Sequence, residues 1–187
     1  MHENLDRAVE TLTNCFRRGG KLLLCGNGGS AADCAHILVE FVKSFCKRRP
    51  LDARLKAAIG EEWAEKLQQG LPVIDLTANC ALIAAVANDQ DAALAYAQQV
   101  TAYGAPGDVL IGISTSGNAE NVRRAVVTAR AMGVYTIGMT GRGGGRLRGL
   151  CDLLLNVDET ETYRVQEKHL QLYHQLCLRV EDAMFDE

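Results

Sequence analysis

This chain of 187 residues has no long hydrophobic run and no surplus of basic charge. Its apolar stretches are far shorter than the roughly 18 residues that a membrane-spanning helix needs, and even the run 81–87 ends at Asn88-Asp89. The 20 basic and 23 acidic side chains give a formal net charge of -3, so no excess positive charge is present to bind a phosphate backbone. We therefore expect neither a membrane partner nor a nucleic-acid partner.

The cysteine pattern indicates neither a disulfide framework nor a thiolate metal site. The seven cysteines are odd in number and include no Cys-x-x-Cys pair, which argues against both. Residues 1–10 carry charges of both signs, and the first apolar run, 22–25, is too short for an export signal. Free thiols and the lack of an export signal predict a cytoplasmic protein.

The composition is that of an ordinary globular protein, with 48% hydrophobic and 23% charged residues. The length fits one domain over residues 1–187. Five short apolar runs resemble buried strands: 21–25, 72–76, 108–113, 134–139 and 152–157. Helix-like stretches alternate with them: about 3–18, 30–46, 78–103, 119–132 and 162–184. This alternation predicts an α/β fold, a three-layer α/β/α sandwich with a five-stranded parallel sheet and right-handed crossovers.

The stretch 47–70 does not fit the simple alternation. It is charged, helix-prone and too long for a direct connection between a helix and the next strand, so it predicts a helical insertion at about 47–70. Two roles are open for it. One is a solvated excursion in which the single tryptophan, Trp63, packs as an anchor; the other is a lid over a site.

Ligands of open parallel sheets bind outside the carboxyl ends of the strands, so the loops after the strands are inspected first. The loop after the first strand reads Gly-Asn-Gly-Gly-Ser-Ala over 26–31, and Ser30 with Asp33 fits a capping box. Its glycines let the backbone approach a ligand, and a helix N-terminus favours anionic or polyhydroxylated groups. The next strand begins only at 72, which argues against a dinucleotide fold, and the Gly-Lys-Ser/Thr of an NTPase P-loop is missing.

The loop after the third strand reads Ser-Thr-Ser-Gly-Asn over 114–118. Three consecutive hydroxyls and a glycine at a helix N-terminus can donate to one phosphate without a lysine, which predicts a monophosphate site. A Ser-rich turn with a helix cap would explain one or two of these residues but not all three. A further glycine-rich loop, 140–145, has no catalytic side chain and is equally well explained as a turn.

Histidines and carboxylates occur on two of the predicted helices. His36 precedes Glu40 by about one helical turn, so the two side chains can share a metal ion or a proton. The last helix adds Gln166, Glu167, His169 and His174, which at about 100° per residue cannot all converge. A single histidine on an amphipathic helix is usually a packed or surface residue. Two such helices next to glycine-rich loops favour a site.

Together and in this order, the motifs resemble the sugar isomerase (SIS) domain family and, within it, the phosphoheptose isomerases. The resemblance covers nearly the whole chain. It rests on Gly26-Asn27-Gly28-Gly29-Ser30-Ala31-Ala32-Asp33, His36, Glu40, Gly112-Ile113-Ser114-Thr115-Ser116-Gly117-Asn118, Val165-Gln166-Glu167, His169 and His174.

The resemblance implies an aldose–ketose isomerase that converts sedoheptulose 7-phosphate to D-glycero-D-manno-heptose 7-phosphate, moving a proton between C1 and C2 through an enediol. It implies that Glu40 and His174 form the acid/base pair. It also implies a zinc ion held by His36, Glu40, Gln166 and His174. The implied contacts to the sugar phosphate are Asn27, Gly28, Gly29, Ser30, Glu40, Asn88, Asp89, Ser114, Thr115, Ser116 and Gln166.

Members of the family are commonly tetramers with sites between subunits, and the long apolar faces of the first and last helices also favour a homo-oligomer. The chain departs from the family at Ala119, where many members have Ser, at Ser44, where Arg is frequent, and at Tyr163, near a position that is often acidic. These departures affect the expected contacts to the substrate more than the expected class of reaction.

The alternative is a non-catalytic SIS module that senses a sugar phosphate or binds a protein partner. Such a module needs the hydroxyls of 114–116 but has no reason to keep His36, Glu40, Gln166 and His174 together. We therefore favour the enzyme.

Overall fold

The centre of the fold is a parallel β-sheet, which a computed structural model describes with its helices over residues 2–185. The strands are β1 (Leu22–Cys25), β2 (Val73–Asp75), β3 (Val109–Ile113), β4 (Tyr135–Thr140) and β5 (Leu153–Asn156). They lie in the order β2-β1-β3-β4-β5, and every neighbouring pair is parallel. Each strand overlaps one of the apolar runs, so the predicted five-stranded parallel sheet is confirmed.

Helices connect and cover the strands. Those in the described residues are α1 (His2–Arg17), α2 (Gly29–Val42), α3 (Ala53–Ile59), α4 (Glu61–Ala64), α5 (Cys80–Asp89), α6 (Ala95–Tyr103), α7 (Glu120–Ala131) and α8 (Thr162–Met184). The bounds of α8 are those predicted. The predicted helix 78–103 is divided, because the Asp91 side chain accepts a hydrogen bond from the backbone N of Ala93 at 2.9 Å and starts a new 3₁₀ turn, Ala92–Leu94.

The sheet side chains alternate between two helical layers, as the pleat of a strand requires. Leu22 and Leu24 of β1 pack in a cluster with α1, α2 and α8, whereas Leu23 and Cys25 pack with α6 and α7 on the other face. All four are fully buried. The predicted three-layer α/β/α sandwich is therefore confirmed. Within residues 2–185, no helix is both long and apolar enough to cross a bilayer.

The order of the strands determines where a ligand can bind. β1 pairs with β2 on one side and with β3 on the other, so the chain leaves β1 first towards one edge of the sheet and later towards the other. At such a switch point a crevice opens beyond the carboxyl ends of the two strands, and open α/β sheets bind their ligands there. The loops that follow β1 and β3 are therefore neighbours.

The stretch 47–70 contains the two short helices α3 and α4. Trp63 is 60% exposed, and the only buried residue of α4 is Ala64, so the idea that Trp63 is a packing anchor is wrong. One helical turn presents too narrow a face to enclose an indole and also to pack on the domain. The stretch is held instead by Arg49, whose side chain is completely buried.

Candidate active site

The loop after β1 turns directly into α2. Gly28 is the N-cap residue and has φ +55, a left-handed value that favours glycine. The helix begins at Gly29, so Ser30 lies buried in the first turn, where its N–H donates to the Asn27 carbonyl at 3.0 Å. The predicted capping box of Ser30 and Asp33 is therefore wrong. Among the described residues no side chain caps α2, and the N–H groups of its first turn are suited to an anionic ligand.

Asn27 is held by two residues that the sequence analysis did not single out. Its side-chain amide pairs reciprocally with that of Asn121 in α7, donating at 2.8 Å and accepting at 2.9 Å. The Tyr96 hydroxyl donates to the Gly26 carbonyl at 2.5 Å and lies 3.2 Å from Asn27 Oδ1. These contacts join the loop after β1 to α6 and α7. Neither partner carries a recognisable motif, so only the folded chain reveals them.

Residues 114–118, which we call the hydroxyl loop, lead from β3 towards α7. Ser114 is buried, and its Oγ accepts a hydrogen bond from the backbone N of Ala119, the N-cap residue of α7, at 3.4 Å. Ser116 is exposed, and its Oγ accepts from Asn118 N at 3.2 Å. Thr115 is half-buried. A turn and a helix cap thus explain why the Ser114 and Ser116 oxygens accept hydrogen bonds. The proton of each hydroxyl remains available to donate to a phosphate oxygen.

The glycine-rich loop 140–145 braces the hydroxyl loop. Gly141 N donates to the Thr115 carbonyl at 2.9 Å, and Leu147 N donates to the Gly117 carbonyl at 3.1 Å. Gly117 has φ +69, and a Cβ at this position would collide with the Gly144 backbone. The third loop is therefore more than a turn, because its backbone fixes the shape of the loop beside it.

The side chains of His36, Glu40 and His174 form one cluster, which we call the His–Glu–His cluster. Ligand atoms of all three lie within 4.8 Å of one another. His36 Nε2 is 2.9 Å from Glu40 Oε1, and the rings of His36 and His174 are 5.1 Å apart with their planes nearly perpendicular. The first two residues come from one face of α2, as their spacing predicts, and His174 comes from α8. The fold thus brings together residues far apart in the chain.

Tyr173 and Asp33 lie near His36 of the His–Glu–His cluster. The Tyr173 hydroxyl lies 2.8 Å from His36 Nδ1, which places the other ring nitrogen of His36 towards Glu40. Burial raises the pKa of Asp33 to about 6, although the nearby His36 and Tyr173 lower it in part. Burial likewise raises the pKa of Tyr173, which keeps its phenol protonated. A fixed ring orientation is what a histidine needs as a metal ligand or proton carrier.

The other three candidate residues of α8, Gln166, Glu167 and His169, lie outside the His–Glu–His cluster. The Gln166 side chain packs against Gly29, where a Cβ would collide with it, so it lies at the loop after β1, about two turns of α8 before His174. Glu167 is exposed. His169 is fully buried, with neither ring nitrogen hydrogen-bonded to another described residue, and burial lowers its pKa. As predicted from the helical angles, the four side chains do not converge.

Asn88 and Asp89 lie at the carboxyl end of α5, and both are exposed. Asn88 Nδ2 donates to Asp89 Oδ1 at 2.7 Å. None of the hydrogen bonds or ion pairs found among residues 2–185 joins this pair to the hydroxyl loop or to the His–Glu–His cluster. Their role in substrate binding stays a prediction.

The His–Glu–His cluster fits a zinc ion in its chemistry. Imidazole nitrogen and carboxylate oxygen are ligands that zinc accepts, and catalytic zinc sites keep a position open for water or substrate. His174 Nε2 is buried and has no hydrogen-bond partner in the described part of the chain. A buried acceptor or donor without a partner is costly, and coordination would remove that cost. The structure therefore contains a possible metal-binding group at the place the motifs indicate.

Comparison with known proteins gives a consistent result. The family model for the SIS domain matches residues 1–69 and 63–141. The phosphoheptose isomerase of Desulfovibrio desulfuricans is 42% identical over 172 residues, which cover 92% of this chain and 73% of that protein. The phosphoheptose isomerase of Roseiflexus sp. is 44% identical over 182 residues, which cover 97% of this chain and 81% of that protein. The solved phosphoheptose isomerase of Neisseria gonorrhoeae superposes with a TM-score of 0.80 at 35% identity, covering 96% of this chain and 85% of that one.

Proposed function

Because this chain belongs to the SIS domain family and is related to phosphoheptose isomerases over nearly its whole length, we propose that it converts sedoheptulose 7-phosphate to D-glycero-D-manno-heptose 7-phosphate. The observation that carries the proposal is the His–Glu–His cluster. Two helices bring a carboxylate and two imidazoles together, about two turns along α2 from the loop after β1. A carboxylate and an imidazole are the groups that an aldose–ketose isomerisation requires, which supports the proposal.

Binding of the sugar phosphate is assigned to the two loops at the switch point of the sheet. The hydroxyl loop and the N-terminus of α7 offer hydroxyl and backbone N–H donors to the phosphate. The Asn27 amide and the first turn of α2 offer donors and an acceptor to sugar hydroxyls. These contacts hold the substrate equally in the ground and transition states, so they determine how much substrate is needed.

Proton transfer is assigned to Glu40 and His174. Isomerisation moves a proton between C1 and C2, which requires a base at a weakly acidic carbon and an acid at the neighbouring oxygen. The Glu40 carboxylate removes the carbon-bound proton, and His174 exchanges the proton on the oxygen. Glu40 is 14% exposed, so its carboxylate is largely shielded from water.

A zinc ion at this place would be held by His36, Glu40 and His174, with Gln166 as the fourth ligand that the resemblance implies. The ion would supply positive charge beside the developing enediolate. His36 is oriented for this role by the Tyr173 hydroxyl. Gln166 lies against Gly29, so its side chain would have to turn from the loop after β1 towards the His–Glu–His cluster.

We further propose a cytoplasmic homotetramer with sites at subunit contacts. Support comes from the outer face of α2, where Val39 is 50% and Val42 44% exposed within a turn of Glu40. Apolar side chains next to a site are better explained by a second subunit than by solvent.

The test is to incubate the purified protein with C5 to C7 ketose phosphates and to follow aldose formation from each. Turnover of sedoheptulose 7-phosphate above the shorter sugars supports the proposal. Saturable binding of a sugar phosphate without turnover, in zinc-supplemented protein, would instead indicate the non-catalytic SIS module.

A further inference from the structure

Arg49 makes three hydrogen bonds although no part of its side chain reaches solvent. Its Nε donates to Glu181 Oε1 at 2.7 Å, Nη1 donates to the Phe41 carbonyl at 2.6 Å, and Nη2 donates to the Glu40 carbonyl at 2.9 Å. One planar guanidinium thus contacts both the last turn of α2 and the last turns of α8.

Glu181 receives further donors from the segment after α2. Its carboxylate accepts hydrogen bonds from the backbone N–H groups of Phe45, Cys46 and Lys47 at 2.9, 2.8 and 3.1 Å. Burial by itself would raise the pKa of Glu181, but these donors and Arg49 outweigh it and hold the pKa below its usual value. The pair is therefore charged, and it fixes the chain from Glu40 to Arg49 against α8.

This network begins at a residue of the active site. The last carbonyls of a helix have no partner within the helix, and Arg49 supplies one to the backbone of Glu40 itself. Glu181 lies two turns beyond His174 on α8, about 10 Å along the axis. The network therefore joins the helix that carries Glu40 to the helix that carries His174.

Stability alone is a weak reason for such a pair. Desolvation of two charges offsets much of their attraction, and well-packed apolar residues often replace a buried ion pair without loss of stability. What apolar residues cannot do is fix the direction and spacing of two helix ends, which the planar fork of an arginine does through several hydrogen bonds at once.

We infer that Arg49 is a positioning residue for the isomerase site: through Glu181 and the Glu40 carbonyl it sets the geometry between Glu40 and His174. The inference rests on the proposed function, and it also gives the stretch 47–70 a role, since Arg49 near its start ties α2 to α8.

The test replaces Arg49 by lysine, which keeps a positive charge for Glu181 but cannot contact both carbonyls and the carboxylate. Arg48→Lys is the matched control, because Arg48 is the exposed neighbour in the sequence. For Arg49→Lys we expect kcat to fall about tenfold and KM to stay within about twofold, because the phosphate-binding loops are untouched. Zinc affinity, measured by competition with a chromophoric chelator, should fall about 10- to 100-fold. Arg48→Lys should match the parent in all three.

A folded Arg49→Lys protein with parental kcat and zinc affinity would overturn the inference, and so would a raised KM with unchanged kcat. If Arg49→Lys does not fold, Glu181→Gln is measured in the same way; it keeps the carbonyl contacts of Arg49, so a smaller loss in the same direction is expected, and no loss contradicts the inference. A parent without isomerase activity would refute the proposed function instead, while zinc affinity would still test the positioning.

Discussion

Gly117→Ala tests the packing of the hydroxyl loop against the loop 140–145. The φ of +69 at Gly117 is in the left-handed region, and the new Cβ would collide with the carbonyl group of Gly144. Because backbone cannot rotate away as a side chain can, the two loops must separate. The matched control is Gly19→Ala, since Gly19 has φ +77 and nothing lies within 4 Å of its added Cβ.

The expected magnitudes follow from these contacts. A left-handed residue with a Cβ costs about 1–2 kcal/mol, and both variants carry this cost. Separation of the loops in Gly117→Ala also breaks the hydrogen bonds from Leu147 N to the Gly117 carbonyl and from Arg146 N to Asn118 Oδ1. Each is worth about 0.5–1.5 kcal/mol. The free energy of unfolding should therefore fall by about 2–5 kcal/mol for Gly117→Ala and by about 1–2 kcal/mol for Gly19→Ala.

Urea unfolding at equilibrium measures the difference in the free energy of unfolding. Initial rates at varied concentrations of sedoheptulose 7-phosphate measure the difference in KM. We expect KM to rise about tenfold or more for Gly117→Ala, since the phosphate donors are displaced, and to stay at the parental value for Gly19→Ala. Equal losses of stability in the two variants, together with an unchanged KM for Gly117→Ala, would refute the described packing.

Three further outcomes are expected. Chelation with dipicolinate should abolish turnover, and zinc should restore it; full activity in protein shown by elemental analysis to be metal-free would contradict a catalytic metal. Ser116→Ala should raise KM several-fold with little change in kcat, whereas a loss confined to kcat would remove this hydroxyl from ground-state binding. Iodoacetamide at pH 8 should label the exposed Cys46 and Cys80 first, because burial raises the pKa of Cys15 to about 11 and that of Cys151 to about 12. Peptide mass spectrometry measures the order in which the cysteines are labelled, and early labelling of Cys15 would contradict the prediction.

The strands were predictable because each is a short apolar run flanked by helical patterns, and the predicted runs overlap β1 to β5. The pair His36 and Glu40 was predictable in the same way, since one helical turn is a local relationship. The meeting with His174 was expected only from the family resemblance, because it depends on how α8 packs against α2.

Other features of the site could not be read from local sequence. Arg49 stands in a charged stretch that indicates a solvated surface. Its burial is possible because the ion pair with the distant Glu181 compensates the cost of removing its charge from water. Trp63 illustrates the converse, since an aromatic residue suggests an anchor but is exposed here. Tyr96 and Asn121 contact the loop after β1 through the tertiary fold, which no spacing within the sequence encodes.

The claim that this chain is an isomerase with Glu40 as its base is tested most directly by one comparison of rates. Aldose formation from sedoheptulose 7-phosphate is followed by proton NMR for the parent and for Glu40→Gln, with zinc content measured in both because Glu40 is also an expected metal ligand. The account predicts turnover by the parent and a rate lower by about 10² to 10⁴ in the folded variant at equal metal content. A folded Glu40→Gln protein that forms aldose at the parental rate would contradict it.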